Sequence, residues 1–149
     1  MYTNAQLYEQ DFYLWCLDTC ATLGAQEFAA LDVPHLIEEI RDLGNNVRNA
    51  MESDLLQVLV HLLKWQYQPQ RREDSHSWQD SIDEHRARIH RLLRKSPSLR
   101  AHLEAACMQE YPRARRKAQR DTALPLTIFP QECPWTIMQV LDEEFWPEA

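Results

Sequence analysis

At 149 residues and 44% hydrophobic side chains, the chain is expected to form one domain, residues 1–149, with a core of its own. No stretch approaches the roughly 20 uninterrupted apolar residues of a membrane span. The start, Met1-Tyr2-Thr3-Asn4, has neither the basic nor the apolar region of a signal peptide, so a soluble, cytoplasmic protein is expected.

Two glycines, Gly24 and Gly44, are all the chain contains, too few for a fold built on tight hairpin turns. Leu, Ala, Glu, Gln and Arg dominate and favour helices. The net charge of −7 is unevenly spread. Residues 1–60 carry ten acids against Arg41 and Arg48, residues 61–120 carry fourteen Lys or Arg against seven acids, and residues 121–149 carry six acids alone. A basic middle of this kind draws anionic partners unless the acidic flanks neutralise it.

In chain order, the first helix is expected from about Asn4 to Leu23, with Tyr8, Phe12, Trp15, Cys16 and Leu23 on one side and Gly24 as its stop. A short helical turn is expected around 25–30. Asp32 then caps, and Pro34 opens, the most informative segment. Leu36, Ile40, Leu43, Val47, Met51, Leu55, Val58, Leu62 and Trp65 recur in steps of three and four, close to the helical 3.6. The phase survives Gly44-Asn45-Asn46. A single helix over about 34–67 follows, roughly 50 Å long at 1.5 Å per residue. A break at Gly44, with Asn45 or Asn46 capping a second helix, is the alternative.

Gln68 to Asp74 reads as a loop. The next helix starts near Ser75–Ser77 and ends at Lys95, with Trp78, Ile82, His85, Ile89 and Leu92 as its seam and Arg86, Arg88, His90, Arg91, Arg94 and Lys95 around the rest. Pro97-Ser98-Leu99 opens a helix reaching about Asp121, interrupted or kinked at Pro112. Three prolines make 124–134 an extended loop, and Pro134 begins a last short helix, Trp135 to about Asp142. The predicted fold is all-α: a bundle of five to six helices around one long central helix, 34–67.

Several phrases together resemble the DUF29 family, helical bacterial proteins of unknown function common in cyanobacteria. They are Tyr8 to Trp15, Leu36 to Gly44, His61 to Pro69, Ser77-Trp78, Ser96 to Leu99, Phe129-Pro130, Cys133-Pro134-Trp135 and Asp142. The resemblance runs from about Thr3 to Trp146, and His61-Leu62-Leu63-Lys64-Trp65 is its most distinctive phrase. It implies an α-helical fold in a bacterial cytoplasm and supplies no reaction, cofactor or catalytic assignment.

Candidate chemistry gathers where the long helix ends. His61, Lys64 and Trp65 lie within about one turn, with Arg71 and Arg72 beyond, a set able to hold phosphate or stack on a base. Arg71 and His76 also have a spacing at which an arginine holds a phosphate while a histidine moves the 2′-hydroxyl proton. The plainer reading makes Trp65 and the other aromatic rings core and the charges solvated. Arg113, Arg116, Lys117 and Arg120 share one helix face that fits a phosphate backbone. Glu38, Glu39 and Glu52 lack the Glu-x-x-His of bundle metal sites, so neither a metal nor another cofactor is expected. Cys16, Cys20, Cys107 and Cys133 are read as reduced, mostly buried thiols.

The expected function is a non-enzymatic helical module that binds a protein or nucleic acid through its basic central region: Lys64, Trp65, Arg71, Arg72, Arg113, Arg116, Lys117 and Arg120. The alternative is a metal-independent nuclease-like enzyme using His61, Lys64, Arg71 and His76. Self-association into a homo-oligomer is a further expectation from the long amphipathic helix.

Overall fold

A computed structural model describes residues 1–73 and 76–148. The expected loop end at Asp74 and helix start at Ser75 lie outside these described residues. Among them the regular structure is all α-helix and 3-10 turns, with α1 (Asn4–Gln10), α2 (Phe12–Gly24), α3 (Val33–Tyr67), α4 (His76–Lys95), α5 (Leu103–Thr122) and α6 (Ile137–Leu141). Backbone contacts divide the chain into two compact units, Met1–Asn46 and Val47–Ala149. The long helix is continuous through Gly44, so the expected alternative of a break there is not what forms.

In the first unit, the expected single helix over 4–23 is two. Asp11 leaves helical geometry at φ −156°, ψ 89°, and its carboxylate accepts the Leu14 N–H, trading a helical backbone for an N-cap. The break lets α1 pack back on α2. Asn4, at the start of α1, donates from Nδ2 to Asp18 (2.8 Å) and Thr19 (3.1 Å) and accepts from the Asp32 N–H (3.0 Å). One buried amide therefore pins three elements, each bond contributing about 1 kcal/mol. Tyr8 stacks on His35 at 3.7 Å and donates its hydroxyl to Glu39 at 2.6 Å. Gly24 is the last helical residue rather than the stop. The left-handed position falls at Gln26, with φ 59°.

The expected apolar ridge of the long helix is buried over only part of its length. Met51, Leu55, Val58 and Leu62 are fully buried, whereas Ile40 and Leu43 are 62% and 69% exposed. For Ile40 the reason is angular. Tyr8 docks on the side of α3 that carries His35 and Glu39, about 100° or more around the helix from Val33, Ile37 and Ile40, which stay uncovered.

The second unit packs the remainder of α3 with α4, α5 and α6. Leu55, Leu59, Leu62 and Leu63 of α3 meet Ile82, Ile89 and Leu93 of α4 and Leu103, Ala106, Ala114 and Ala118 of α5 in one apolar cluster. Each fully buried leucine contributes about 1.5–3 kcal/mol of transfer free energy. Helix α4 buries Ile82, Arg86, Ile89 and Leu93, a seam rotated from the expected Trp78–Ile82–His85–Ile89–Leu92 line. Arg86, expected on the polar face, is wholly buried because it serves carbonyls of α6. A 3-10 turn, Pro97–His102, precedes α5, which runs through Pro112. The last helix starts later than Pro134. Thr136 caps it, in a reciprocal pair with Gln139.

Candidate functional site

The final turns of α3 carry the residues singled out by sequence. Position 61 follows 57 by one turn, and His61 Nδ1 sits 2.7 Å from the Gln57 carbonyl oxygen. A carbonyl only accepts, so Nδ1 carries the proton and Nε2 is left as the acceptor. Burial pulls the His61 pKa below its ordinary value, against the opposing pull of the Gln57 carbonyl. Burial favours the uncharged ring.

Lys64, one turn on, pairs with Asp121 near the end of α5 at 2.7 Å. Burial pushes Asp121 upward, but the Lys64 hydrogen bond and charge outweigh it and hold the carboxyl below its usual range. His85 of α4 meets Asp54 of α3 at 2.7 Å, with Arg88 reaching the same carboxylate at 3.9 Å. Asp54, Gln57, His61 and Lys64 thus form a polar seam along one side of α3, facing α4 and α5.

Arg72 is absorbed by the fold. Its Nε donates to the Trp65 carbonyl (2.6 Å), its Nη2 to the Pro147 carbonyl (3.4 Å), and its guanidinium lies 4.8 Å from the Trp65 ring. Trp146 packs on Trp65 at 4.8 Å. With these neighbours Trp65 is half-buried and offers little stacking surface. Arg71 and His76 are exposed, and among the described residues no hydrogen bond or ion pair joins either to His61 or Lys64. The structure therefore brings together His61, Lys64 and Asp121, and separately Trp65 and Arg72.

On α5, Arg113 pairs with the buried Glu110 at 2.8 Å while remaining exposed itself. Arg116 and Arg120 are exposed and Lys117 half-buried, on the same face. Arg115, outside the expected set, holds the Phe129 and Leu126 carbonyls at 3.0 and 3.1 Å and so fixes the loop after α5. Among the described residues, no group of three or more His, Cys, Asp or Glu is arranged to hold a metal.

The model of a family described as a domain of unknown function, DUF29, matches residues 7–146. The chain belongs to the DUF29 family. No curated protein and no solved structure matches it. The DUF29 match spans both compact units, and the phrases that suggested it fall at packing contacts. Tyr8 bonds Glu39, Trp135 Nε1 donates to Gln66 at 3.2 Å, and Phe129 meets Tyr67 edge-on at 5.7 Å. The Glu39 bond pushes the Tyr8 hydroxyl up to about 12.

One feature of this DUF29 chain has no counterpart among the expected sites. Cys107 of α5 and Cys133 of the following loop line a cavity of about 480 Å³, together with Met108, Tyr111, Trp135 and Ile137. The Cys133 thiol donates to the Trp135 carbonyl at 3.4 Å. The separation of the two cysteines in sequence matches no spacing motif. Only Cys133-Pro134-Trp135, within the family phrases, pointed to the region.

Proposed function

We propose that this DUF29 protein is a non-enzymatic interaction module whose first unit receives a basic, amphipathic helix of a partner protein. The supporting observation is how much apolar surface that unit leaves uncovered. Tyr13, Leu14 and Leu17 of α2 and Val33, Ile37, Ile40 and Leu43 of α3 are all large and exposed. Patches of this kind on a folded unit mark contact sites. Helix α2 is the clearest case. Its 13 residues include one charge, Asp18, and Leu14, Leu17 and Ala21 line the side away from Trp15 and Thr19. A helix apolar all round is ordinarily a covered one.

Charge selects the occupant. The first unit holds eight carboxylates against Arg41 alone, whereas Lys and Arg balance Asp and Glu in the second. A second copy would set two acidic units against each other. A helix carrying Lys or Arg beside its apolar stripe would complement both features. The cytoplasmic setting that the family resemblance implies belongs to the same reading.

Nucleic-acid binding through the basic central region is the second reading, favoured by the α5 ridge of Arg113, Arg116, Lys117 and Arg120. The proposal assigns that ridge no role in the helix contact.

The test is fluorescence anisotropy of two designed helical peptides, one of Leu and Lys and one of Leu and Glu, against the full chain. The Lys peptide is expected to bind preferentially. Leu14→Ser with Leu17→Ser should weaken it by about tenfold or more, equivalent to ~1.4 kcal/mol, while Arg116→Gln with Arg120→Gln should leave it unchanged. Equal binding of both peptides, or indifference to the apolar substitutions, overturns the reading. A dimer in sedimentation that Leu17→Ser disperses would give the surface to a second copy. RNA cleavage abolished by His61→Ala would replace the module with the nuclease.

A further inference from the structure

Outside the polar seam and the apolar first unit, the second unit holds the cavity of about 480 Å³ beside α5. A volume of this order suits a small molecule. Tyr111 and Trp135, both buried, line it with the half-buried Ile137 and the exposed Met108 and Pro112. Two exposed carboxylates, Glu104 and Glu132, also line it, and no Lys, Arg or His is among the lining residues. Neither carboxylate has an ion pair or hydrogen bond of its own among the described residues.

The donors around this cavity are already committed. Tyr111 donates its hydroxyl to the Pro130 carbonyl at 2.6 Å, Trp135 its Nε1–H to Gln66 at 3.2 Å, and Cys133 its thiol to the Trp135 carbonyl at 3.4 Å. Thr136 turns its backbone N–H and its hydroxyl to Gln139, at 3.0 and 3.4 Å. The Gln131 amide is left as the strongest side-chain donor on the wall. Acceptors are in surplus instead. Pro112 lies inside α5 without an N–H, so the Met108 carbonyl one turn earlier lacks its ordinary helical donor. Met108 and Pro112 both line the cavity, which puts the missing bond at its wall.

We propose that the cavity binds a small primary ammonium ion with a hydrocarbon body, its nitrogen held by Glu104, Glu132 and the Met108 carbonyl and its body laid against Tyr111, Trp135 and Ile137.

Each part of that ligand answers a feature of the wall. A primary ammonium brings three donors and a positive charge to two unpaired carboxylates and a spare carbonyl. An anion would meet the carboxylates with no lining cation to offset them. A neutral alcohol brings a single donor and no charge, and a quaternary ammonium brings the charge without a donor. The carboxylates are exposed, so salt screens their attraction and binding weakens as ionic strength rises. The site lies wholly within Val47–Ala149 and uses none of the first-unit residues assigned to the partner helix.

The experiment is isothermal titration calorimetry of the full chain with phenethylamine, phenethyl alcohol, phenylpropionate and trimethyl(phenethyl)ammonium. Phenethylamine is expected to bind about tenfold or more tighter than the alcohol or the carboxylate. The trimethylated ion, with no N–H, should bind more weakly than the amine. Glu104→Gln with Glu132→Gln, both exposed and outside the core, should weaken the amine by about tenfold. Glu143→Gln with Glu144→Gln makes the same change of charge elsewhere and should leave it unaltered. Pro112→Ala returns an N–H to the Met108 carbonyl and should narrow the preference for amine over alcohol. Leu14→Ser with Leu17→Ser should leave amine binding intact, so failure of this site and failure of the partner-helix reading are told apart. No saturable binding of phenethylamine, equal binding of the alcohol or the trimethylated ion, or indifference to the Glu104 and Glu132 substitutions overturns the proposal. An unchanged preference in Pro112→Ala overturns the part given to the Met108 carbonyl.

Discussion

Arg86 has no exposed surface, yet it carries a charge. Its Nε donates to the Val140 carbonyl at 2.8 Å and its Nη2 to the Gln139 carbonyl at 3.3 Å, while Trp146 lies 5.5 Å from the guanidinium. Those carbonyls belong to the last turn of α6, where helical N–H groups run short, and the Gln139 oxygen also accepts the Asp142 N–H at 3.3 Å. A guanidinium presents its donors from separate nitrogens in a fixed plane, whereas a lysine ammonium has them all on one nitrogen. Arg86→Met should therefore cost about 2–3 kcal/mol in urea unfolding, and Arg86→Lys should recover less than half of it. His61 gives a pH prediction with a definite sign. Its folded pKa lies below the ordinary value near 6.5. As pH falls through that value, the unfolded chain takes up the proton first, so stability is lost from about 6.5 downward until the folded value is passed. His61→Gln removes this titration and should lose less stability between pH 7 and pH 5 than the unaltered chain. An equal drop in urea midpoint for both proteins would show that His61 does not titrate as described.

Elements were legible to the degree that their signals are local. The three-and-four spacing from Leu36 to Trp65 marks α3, which observation bounds at Val33–Tyr67. Gly44 costs this helix stability without shaping it, since a Cβ built there meets nothing within 4 Å. Gly44→Ala is expected to stabilise the chain by about 1 kcal/mol in thermal or urea unfolding. The division of the first helix was hidden because Tyr8, Phe12 and Trp15 keep a helical phase across it. Their rings do cluster, at 5.1–5.8 Å. The capping carboxylate of Asp11 is the local cause, and an aspartate inside a helix looks the same in sequence. Helix α6 is five residues long and survives through both ends. Thr136 and Gln139 satisfy its first N–H groups, and Arg86 and His90 hold the carbonyls of residues 139–141.

Across the whole molecule, net charge separates by unit, and most of the exposed large apolar side chains lie in the first. The net −7 resides in Met1–Asn46, and the second unit is balanced. The basic middle that dominates the linear charge pattern is partly consumed by the fold: Lys64 on Asp121, Arg72 on backbone carbonyls, Arg86 inside the core, Arg115 on the loop after α5. What the sequence alone determined was helix type, the extent of α3 and α4, and family membership, because backbone hydrogen bonding and residue phase act over a few positions. Which apolar stripe is covered, which cation is spent, and which two cysteines line one cavity were decided by tertiary packing. Each depends on a partner far away in the chain, and the spacing of neighbouring residues carries no record of it.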